Sequence, residues 1–290
     1  MRSDIKFFVN TWIFGAAPLS DIVRRAAEIG FDGIELVGEP HDYLPAEVRR
    51  MVKDAGLLVQ SICGMHPGPN PTDLRLFSHP DAQERQKAID YVSACVDLAV
   101  EVGARSVLVV PSLVGQPKPM VSRQADLDAA IEPLRAASEY AGAHGILLTL
   151  EPINRYEVGL VNSVAEAISL AQRVDHPYCR IMGDTFHMQV EESDGIPNAI
   201  RRAGHYWFQH LHAADNTREA PGLGTMPWRE ILRALRDIDY EGGVSLEPLP
   251  SGASPYDARG GQIPADKLDA ELRAGISHLR QMQQLVGVFA

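Results

Sequence analysis

Four side chains able to bind a metal ion end four successive apolar segments in the second half of the chain. The segments are ILLTLEP, CRIMGD, WFQHLH and GGVSLEP, and they supply Glu151, Asp184, His212 and Glu247. The intervals between these residues are close to the roughly 30 residues of one βαβ unit. Because groups at the same ends of neighbouring parallel strands converge, we predict that all four form one site for a divalent metal ion.

This ligand set restricts the choice of metal. Three carboxylates and one imidazole form a hard, oxygen-rich set that suits Mn²⁺, Mg²⁺, Co²⁺ or Fe²⁺, whereas structural zinc favours thiolates. Three ionised carboxylates also exceed the charge of a dication by one. The surplus leaves a carboxylate oxygen available as a base beside the metal.

Other polar residues near the four have more than one interpretation. His210 should face the same way as His212, because residues i and i+2 of a strand share a face, and we expect it one layer lower as a supporting or core residue. His187 is expected at the pocket rim as a donor to a substrate hydroxyl, or else as a capping or surface histidine. Glu157 and Arg218 follow the fifth and seventh strands. Sequence spacing alone leaves open that they form a salt bridge at the rim or are simply solvated.

The segments that position these residues belong to a regular alternation of strands and helices. KFFVNTW, GIELVG, LLVQSICG and SVLVVP are four earlier strands, short and rich in Val, Ile and Leu, as is typical of parallel strands buried on both faces. Helices are predicted over 18–30, 45–56, 81–102 and 122–143. Eight such units with right-handed crossovers close into one (β/α)₈ TIM barrel, a single α/β domain over residues 1–290.

An open, doubly wound sheet is the alternative fold. Its first turn would carry a glycine-rich phosphate loop, which TWIFGAAP does not match. Two long loops, 65–80 and 250–263, follow strands of the barrel. We therefore expect them on the face that bears the active sites of barrel enzymes, either as lids or as surface excursions.

Composition narrows the function further. The 290 residues carry a net charge of −11, which argues against nucleic acid and anionic membrane as partners. The cysteines, 63, 95 and 179, have no metal-binding or disulfide spacing, and Cys63 is expected to be a buried packing thiol. Without a visible signal peptide or membrane-spanning run, we expect a cytoplasmic protein.

Five motifs resemble the ketose 3-epimerases, the D-tagatose/D-allulose/L-ribulose 3-epimerase group of the xylose isomerase-like TIM barrel superfamily. The motifs are EPINRYE (151–157), GDTFHM (183–188), HLHAADNTR (210–218), GTMPWREI (224–231) and SLEP (245–248). The resemblance implies one divalent metal ion, with Mn²⁺ expected and Co²⁺ or Mg²⁺ as alternatives. It also implies a homodimer or homotetramer that acts on a small-molecule sugar.

The resemblance also assigns roles to residues. It implies that Glu151, Asp184, His212 and Glu247 hold the metal and that Glu151 and Glu247 are the two catalytic carboxylates. It implies that three further residues hold the substrate oxygens: Glu157, His187 and Arg218. The expected reaction is inversion of the carbon next to the carbonyl of a ketose. One glutamate removes a proton from one face of that carbon, the metal stabilises the enediolate, and the other glutamate returns a proton to the opposite face.

Some segments depart from the pattern of the group. The loop after the seventh strand reads DNTR at 215–218 where the group usually has ECNR, and the segments after the third and fourth strands also differ. The same site can catalyse aldose–ketose isomerisation, or β-elimination from an oxidised sugar, inositol or glycoside, so both remain alternatives. Metal-dependent cleavage of DNA at abasic sites and non-catalytic sugar binding are further alternatives, but the acidic net charge argues against the first and the complete set of four ligands against the second.

Overall fold

The eight predicted strands form a closed barrel of parallel strands in chain order, so the TIM-barrel prediction is confirmed. The computed structural model describes residues 4–255, 258, 261 and 263–288. The strands are β1 (Lys6–Asn10), β2 (Gly33–Gly38), β3 (Leu58–Gly64), β4 (Ser106–Val109), β5 (Leu147–Leu150), β6 (Cys179–Asp184), β7 (Phe208–Ala213) and β8 (Gly243–Leu246). Pairing of β1 with β8 closes the ring.

Helices connect the strands and cover the outside of the barrel. In the described residues they are α1 (Leu19–Ile29), α2 (Pro45–Asp54), α3 (Ala82–Val102), α4 (Arg123–Ala143), α5 (Val164–Val174), α6 (Thr185–Glu191), α7 (Ile196–Trp207), α8 (Trp228–Asp237) and α9 (Ala265–Val288). Gly30 ends α1 in the left-handed conformation (φ 97°), where its N–H donates to the carbonyls of Ala26 and Ala27 in the last turn of the helix. None of these helices is both long and apolar enough to cross a bilayer.

The first strand is shorter than the sequence predicted. It was expected to run through Trp12 but ends at Asn10. The Asn10 side chain accepts a hydrogen bond from the Trp12 backbone N–H and so starts a 3₁₀ turn over Thr11–Phe14. This local bond replaces strand pairing and turns the chain at the mouth of the barrel.

Alternate residues of each strand face the helices or the barrel interior. In β2, Ile34 and Leu36 belong to the apolar core that the strands share with the helices, and the fully buried Glu35 lies between them. In β7, Leu211 belongs to the same core, and the buried His210 and His212 lie on either side of it in the sequence. The period of two therefore places these three ionisable side chains inside the barrel.

Two irregularities in strand pairing lie beside these interior residues. Between the pairs Ile34–Val59 and Leu36–Ile62, β3 contains one residue more than β2. Between the pairs Ile181–Phe208 and Met182–His210, β7 contains one residue more than β6. Such bulges bend a strand and change where a side chain points. Here they accompany Glu35 and His210.

The long loop after β3 packs against the barrel. Arg75 binds the carboxylates of Glu39 (2.9 Å) and Asp73 (2.8 Å), and its guanidinium lies 3.9 Å from the centroid of the Tyr91 ring. Phe77 is fully buried. The loop over residues 65–80 is therefore packed against the barrel and is not a loose surface excursion. The other long loop, 250–263, includes residues 256, 257, 259, 260 and 262, which lie outside the described residues.

We predict that Gly33→Ala lowers the free energy of unfolding by about 1–3 kcal/mol. A Cβ at this position would lie 2.1 Å from the carbonyl oxygen of Leu58, and the backbone of a paired strand cannot move aside. Gly287→Ala in α9 is the matched control, because its Cβ would meet nothing nearer than 4.0 Å. Chemical denaturation checks both, and equal midpoints for the two variants would contradict the prediction.

Candidate metal centre

The carboxyl ends of β5 to β8 bring the four predicted ligands together. Asp184 ends β6 and His212 is the next-to-last residue of β7, while Glu151 and Glu247 directly follow β5 and β8. The ligand atoms of Asp184, His212 and Glu247 lie within 4.8 Å of one another. His212 Nδ1 lies 3.2 Å from Glu247 Oε2 and 3.6 Å from Glu151 Oε1. All four side chains are buried.

Two atoms of this cluster are buried without a hydrogen-bond partner in the described residues: Asp184 Oδ2 and His212 Nδ1. The other oxygen of Asp184 accepts a hydrogen bond from the Phe186 N–H (2.8 Å) and caps α6. Buried polar atoms in proteins nearly always have partners. An oxygen and a nitrogen lone pair without partners, beside two further carboxylates, fit a divalent cation.

The electrostatics of the cluster also favour a cation. Burial, together with the nearby carboxylates of Glu247 and Glu151, raises the pKa of Asp184 to about 6. Burial acts to lower the pKa of His212, but Glu247 and Glu35 hold it well above its usual value. The negative charge of these carboxylates favours either a proton or a metal ion on His212 Nδ1. The proton and the metal ion therefore compete for the same lone pair.

The Glu35 carboxylate, which was not predicted from the sequence, contacts His212 on the side of the ring away from the cluster. Glu35, in the barrel interior, lies 3.1 Å from His212 Nε2 and 3.0 Å from His210 Nε2. Burial acts to raise the pKa of Glu35, but His212 and His210 hold it well below its usual value. The ionised carboxylate accepts a hydrogen bond from each Nε2–H, which leaves Nδ1 of His212 to face the cluster. Such a carboxylate–histidine pair fixes the ring and the tautomer of a metal ligand.

The sequence does contain a signal for Glu35. It is the one charged residue in GIELVG, an apolar strand in which every residue was predicted to be buried. A carboxylate inside such a strand must find donors, because an isolated buried charge is very costly. His210 supplies one of these donors, so it lies one layer below the cluster, where the sequence placed it.

Glu247 is held by three further donors. Trp12 Nε1 and Asn10 Nδ2 donate to Oε2 at 2.9 and 3.2 Å, and Arg218 Nη2 donates to Oε1 at 3.1 Å. Burial acts to raise the pKa of Glu247, but His212, Arg218 and Trp12 hold it at about 2. Arg218 has a left-handed backbone (φ 64°), and its guanidinium lies 4.7 Å from the centroid of the Phe186 ring. The half-buried guanidinium is therefore held in the site by the Glu247 carboxylate and the Phe186 ring.

His187 and Glu157 lie on the β5–β6 side of the cluster. His187 Nε2 is 3.6 Å from Asp184 Oδ2, and His187 Nδ1 is 3.9 Å from Glu157 Oε1. His187 is buried in the first turn of α6, deeper than the pocket rim predicted for it, whereas Glu157 is partly exposed. Asn154, which the sequence analysis did not single out, contacts both.

A small group of buried apolar side chains is separate from the main core: Cys63, Leu108, Val110, Ile153, Val158 and Met182. Burial raises the pKa of Cys63 well above its usual value, in line with the predicted packing thiol. Among these side chains, Cys63 lies close enough to Glu35, His212 and Glu247 for their charges to act on its thiol.

Comparison with known proteins places the chain among sugar epimerases. The family described as xylose isomerase-like TIM barrel matches residues 23–282. D-psicose 3-epimerase from Ruminiclostridium cellulolyticum is 31% identical over 236 residues, which cover 78% of this chain and 77% of the relative. 3-Dehydro-D-guloside 4-epimerase from Escherichia coli is 30% identical over 231 residues, 77% of this chain and 84% of the relative. The crystal structure of D-psicose 3-epimerase with D-tagatose from Clostridium cellulolyticum H10 superposes with a TM-score of 0.83 at 26% identity, covering 96% of this chain and 99% of that one.

We predict that Glu35→Gln weakens Mn²⁺ binding by about 10- to 100-fold. An amide has one acceptor oxygen for two imidazole N–H groups, and its NH₂ would face one of them. Calorimetric titration of the metal-depleted protein with Mn²⁺ measures the effect. Glu132→Gln, which makes the same charge change at a side chain 81% exposed, is the control. Unchanged affinity in a folded Glu35→Gln variant would contradict the role given to Glu35.

Proposed function

Because this chain belongs to the xylose isomerase-like TIM barrel family, and to the ketose 3-epimerase group within it, we propose that it is a metal-dependent sugar epimerase that inverts the carbon next to the carbonyl of a ketose. The observation that carries the proposal is the convergence of two glutamates, Glu151 and Glu247, on the unpartnered Nδ1 of His212. One site thus holds two carboxylates and atoms suited to a metal ion, as two-base inversion requires.

The names of the relatives support inversion beside a carbonyl as the common chemistry. Psicose is a 2-ketose, so a 3-epimerase inverts the carbon beside its carbonyl. A 3-dehydro sugar carries its carbonyl at C3, so a 4-epimerase again inverts the neighbouring carbon. The position of the carbonyl differs, but the bond that breaks in each case is a C–H bond next to it.

We propose that Glu151, Asp184, His212 and Glu247 hold one divalent ion, with Mn²⁺ expected and Co²⁺ or Mg²⁺ as alternatives. When bound, such an ion supplies Lewis-acid polarisation of the carbonyl, which makes the neighbouring C–H bond acidic enough for a carboxylate to attack. The residues of the chain then carry out the proton transfers.

In the forward direction Glu247, which its hydrogen-bond donors keep ionised, removes the proton, and the electron pair of the C–H bond passes to the carbonyl to give an enediolate. Glu151, which must carry a proton at the start of the cycle, delivers it to the opposite face of the same carbon, and the electron pair returns to form the new C–H bond. Exchange with solvent restores the protonation state of both glutamates. The reverse reaction exchanges their roles.

Other residues hold the substrate in this scheme. Arg218 Nη2, already 3.1 Å from Glu247 Oε1, places a fixed positive charge where negative charge develops on substrate oxygens. Glu157 and His187 bind further oxygens of the sugar. Assembly as a homodimer or homotetramer and a cytoplasmic location complete the proposal.

We predict that Glu151→Gln and Glu247→Gln each lower turnover by about 10²- to 10⁴-fold, because each removes one of the two bases. The assay incubates ketoses with the Mn²⁺-loaded protein in heavy water and follows the products by NMR. Metal content, measured on the same samples, separates a lost base from a lost ligand. Near-normal rates in both variants would refute the two-base scheme.

The same heavy-water assay separates epimerisation from its alternatives. An epimerase exchanges one carbon-bound hydrogen and yields the inverted ketose, with no loss of water. Aldose–ketose isomerisation would instead move the carbonyl, and β-elimination would release water or an aglycone. Either product as the main one would replace the proposal with that alternative.

We predict that removal of divalent metal by a chelator abolishes turnover and that Mn²⁺ restores it. Metal binding to the folded state should also raise stability, by about 2.7 kcal/mol when free metal is 100 times its dissociation constant. Thermal unfolding with and without Mn²⁺ measures this gain. Full activity after metal depletion, verified by elemental analysis, would contradict a metal-dependent mechanism.

A further inference from the structure

Asn154 lies in the loop after β5 and makes three hydrogen bonds. Its Oδ1 accepts from the Tyr156 backbone N–H at 3.0 Å. Its Nδ2 lies 2.9 Å from Glu157 Oε1 and 2.8 Å from His187 Nδ1. The Asn154 side chain is buried, at 3% exposure, so water does not compete for these contacts.

The partners of Asn154 fix the orientation of its amide. A backbone N–H can only donate, so the end of the amide that faces Tyr156 must be the oxygen. An ionised carboxylate can only accept, so the end that faces Glu157 must be the NH₂ group. The two constraints agree, and they leave the second N–H of the amide directed at His187 Nδ1.

The orientation of the amide determines the tautomer of His187. Because the amide NH₂ is only a donor, Nδ1 of His187 must accept and therefore carries no proton. The proton of the neutral ring is then on Nε2. Nε2 is 3.6 Å from Asp184 Oδ2, too far for a hydrogen bond, so this N–H is not committed to that oxygen.

The ring of His187 is also fixed in place. The Phe186 ring packs edge-on against it, with centroids 5.4 Å apart and planes at 67°. Asp184 caps the short helix that carries His187. Asn154 therefore acts on a ring whose position is already set, and it decides which nitrogen of that ring carries the proton.

We propose that Asn154 is a positioning residue that locks His187 in the tautomer protonated at Nε2, so that His187 donates a hydrogen bond to a substrate oxygen and does not serve as a base. The donation to substrate rests on the proposed epimerase function. The tautomer rests only on the contacts of Asn154. The arrangement leaves proton abstraction to the glutamates and gives His187 the stabilisation of negative charge on oxygen.

The test reads the tautomer directly. Protein labelled with ¹⁵N-histidine and loaded with diamagnetic Mg²⁺ gives two-bond nitrogen–proton correlations, which distinguish the two neutral tautomers. A His187→Asn variant identifies the signals of this ring among the 10 histidines. We expect His187 to be protonated at Nε2 and not at Nδ1. A wild-type ring protonated at Nδ1 would overturn the proposal.

Asn154→Asp tests the cause. A carboxylate accepts where the amide donated, so Nδ1 of His187 should become protonated. We expect kcat for ketose epimerisation to fall by about 100-fold, with a much smaller change in KM, because the lost donor acts on charge that develops in the transition state. Asn198→Asp, an exposed position in α7, makes the same charge change and should alter neither reading.

Each result has a distinct meaning. A fall in kcat without a change of tautomer would reduce Asn154 to a structural role and overturn the proposal. A change of tautomer without a fall in kcat would overturn the role of His187 as a donor to substrate. If wild type is no epimerase, the spectra still decide the tautomer separately. If Asn154→Asp does not fold, Asn154→Ala replaces it, and the free ring should then show a mixture of tautomers.

Discussion

Three carboxylates gathered around one imidazole nitrogen, in a place shielded from water, are the constraint on which the site depends. Burial alone would make such a concentration of negative charge unstable. The neighbouring carboxylates help to raise the pKa of both Asp184 and His212, so this buried place favours added positive charge. The Arg218 guanidinium supplies part of this positive charge, and the proposed divalent cation would supply the rest.

The two proposed catalytic glutamates are not equivalent in their surroundings. Glu247 accepts hydrogen bonds from Trp12, Asn10 and Arg218, which stabilise its ionised form. Glu151 forms a group with Asp184 and His187. Two-base inversion needs bases on opposite sides of a planar intermediate, and it does not need them to be equally strong. The different partners fit a scheme in which each glutamate has a preferred direction of proton transfer.

Much of the fold and part of the site were predictable from sequence. The strands are short apolar segments, and the residues that end β5 to β8 stand out because they are polar where the apolar segments stop. Their convergence follows from barrel topology and is confirmed as a matter of position. Their roles as ligands and bases stay predictions. The ends of strands were less predictable, as β1 shows, because the Asn10 side chain competes with strand pairing in a way that periodicity does not reveal.

Glu35 and Asn154 show why the remainder was missed. Both act through partners that are distant in the chain, since Glu35 lies 175 residues from His210 and Asn154 lies 33 residues from His187. A pattern search looks for residue types at strand ends, and Glu35 lies within a strand. Asn154 lies within the EPINRYE motif. The orientation of its amide, however, can be assigned only from the positions of its neighbours. The depth of His187 likewise depends on α6, which begins directly after its N-cap residue Asp184.

The position of Glu35 has a consequence for how such a site can change over time. The groups that orient His212 come from within β2 and β7, while the proposed substrate-binding residues Glu157, His187 and Arg218 come from loops and from α6. Mutations in the loops can therefore change the surroundings of the site without disturbing the contacts of Glu35 with His210 and His212. If the proposed function holds, selection can change the accepted sugar while the proton transfers stay the same. A barrel built in this way is suited to diversification into enzymes that share one reaction and differ in substrate.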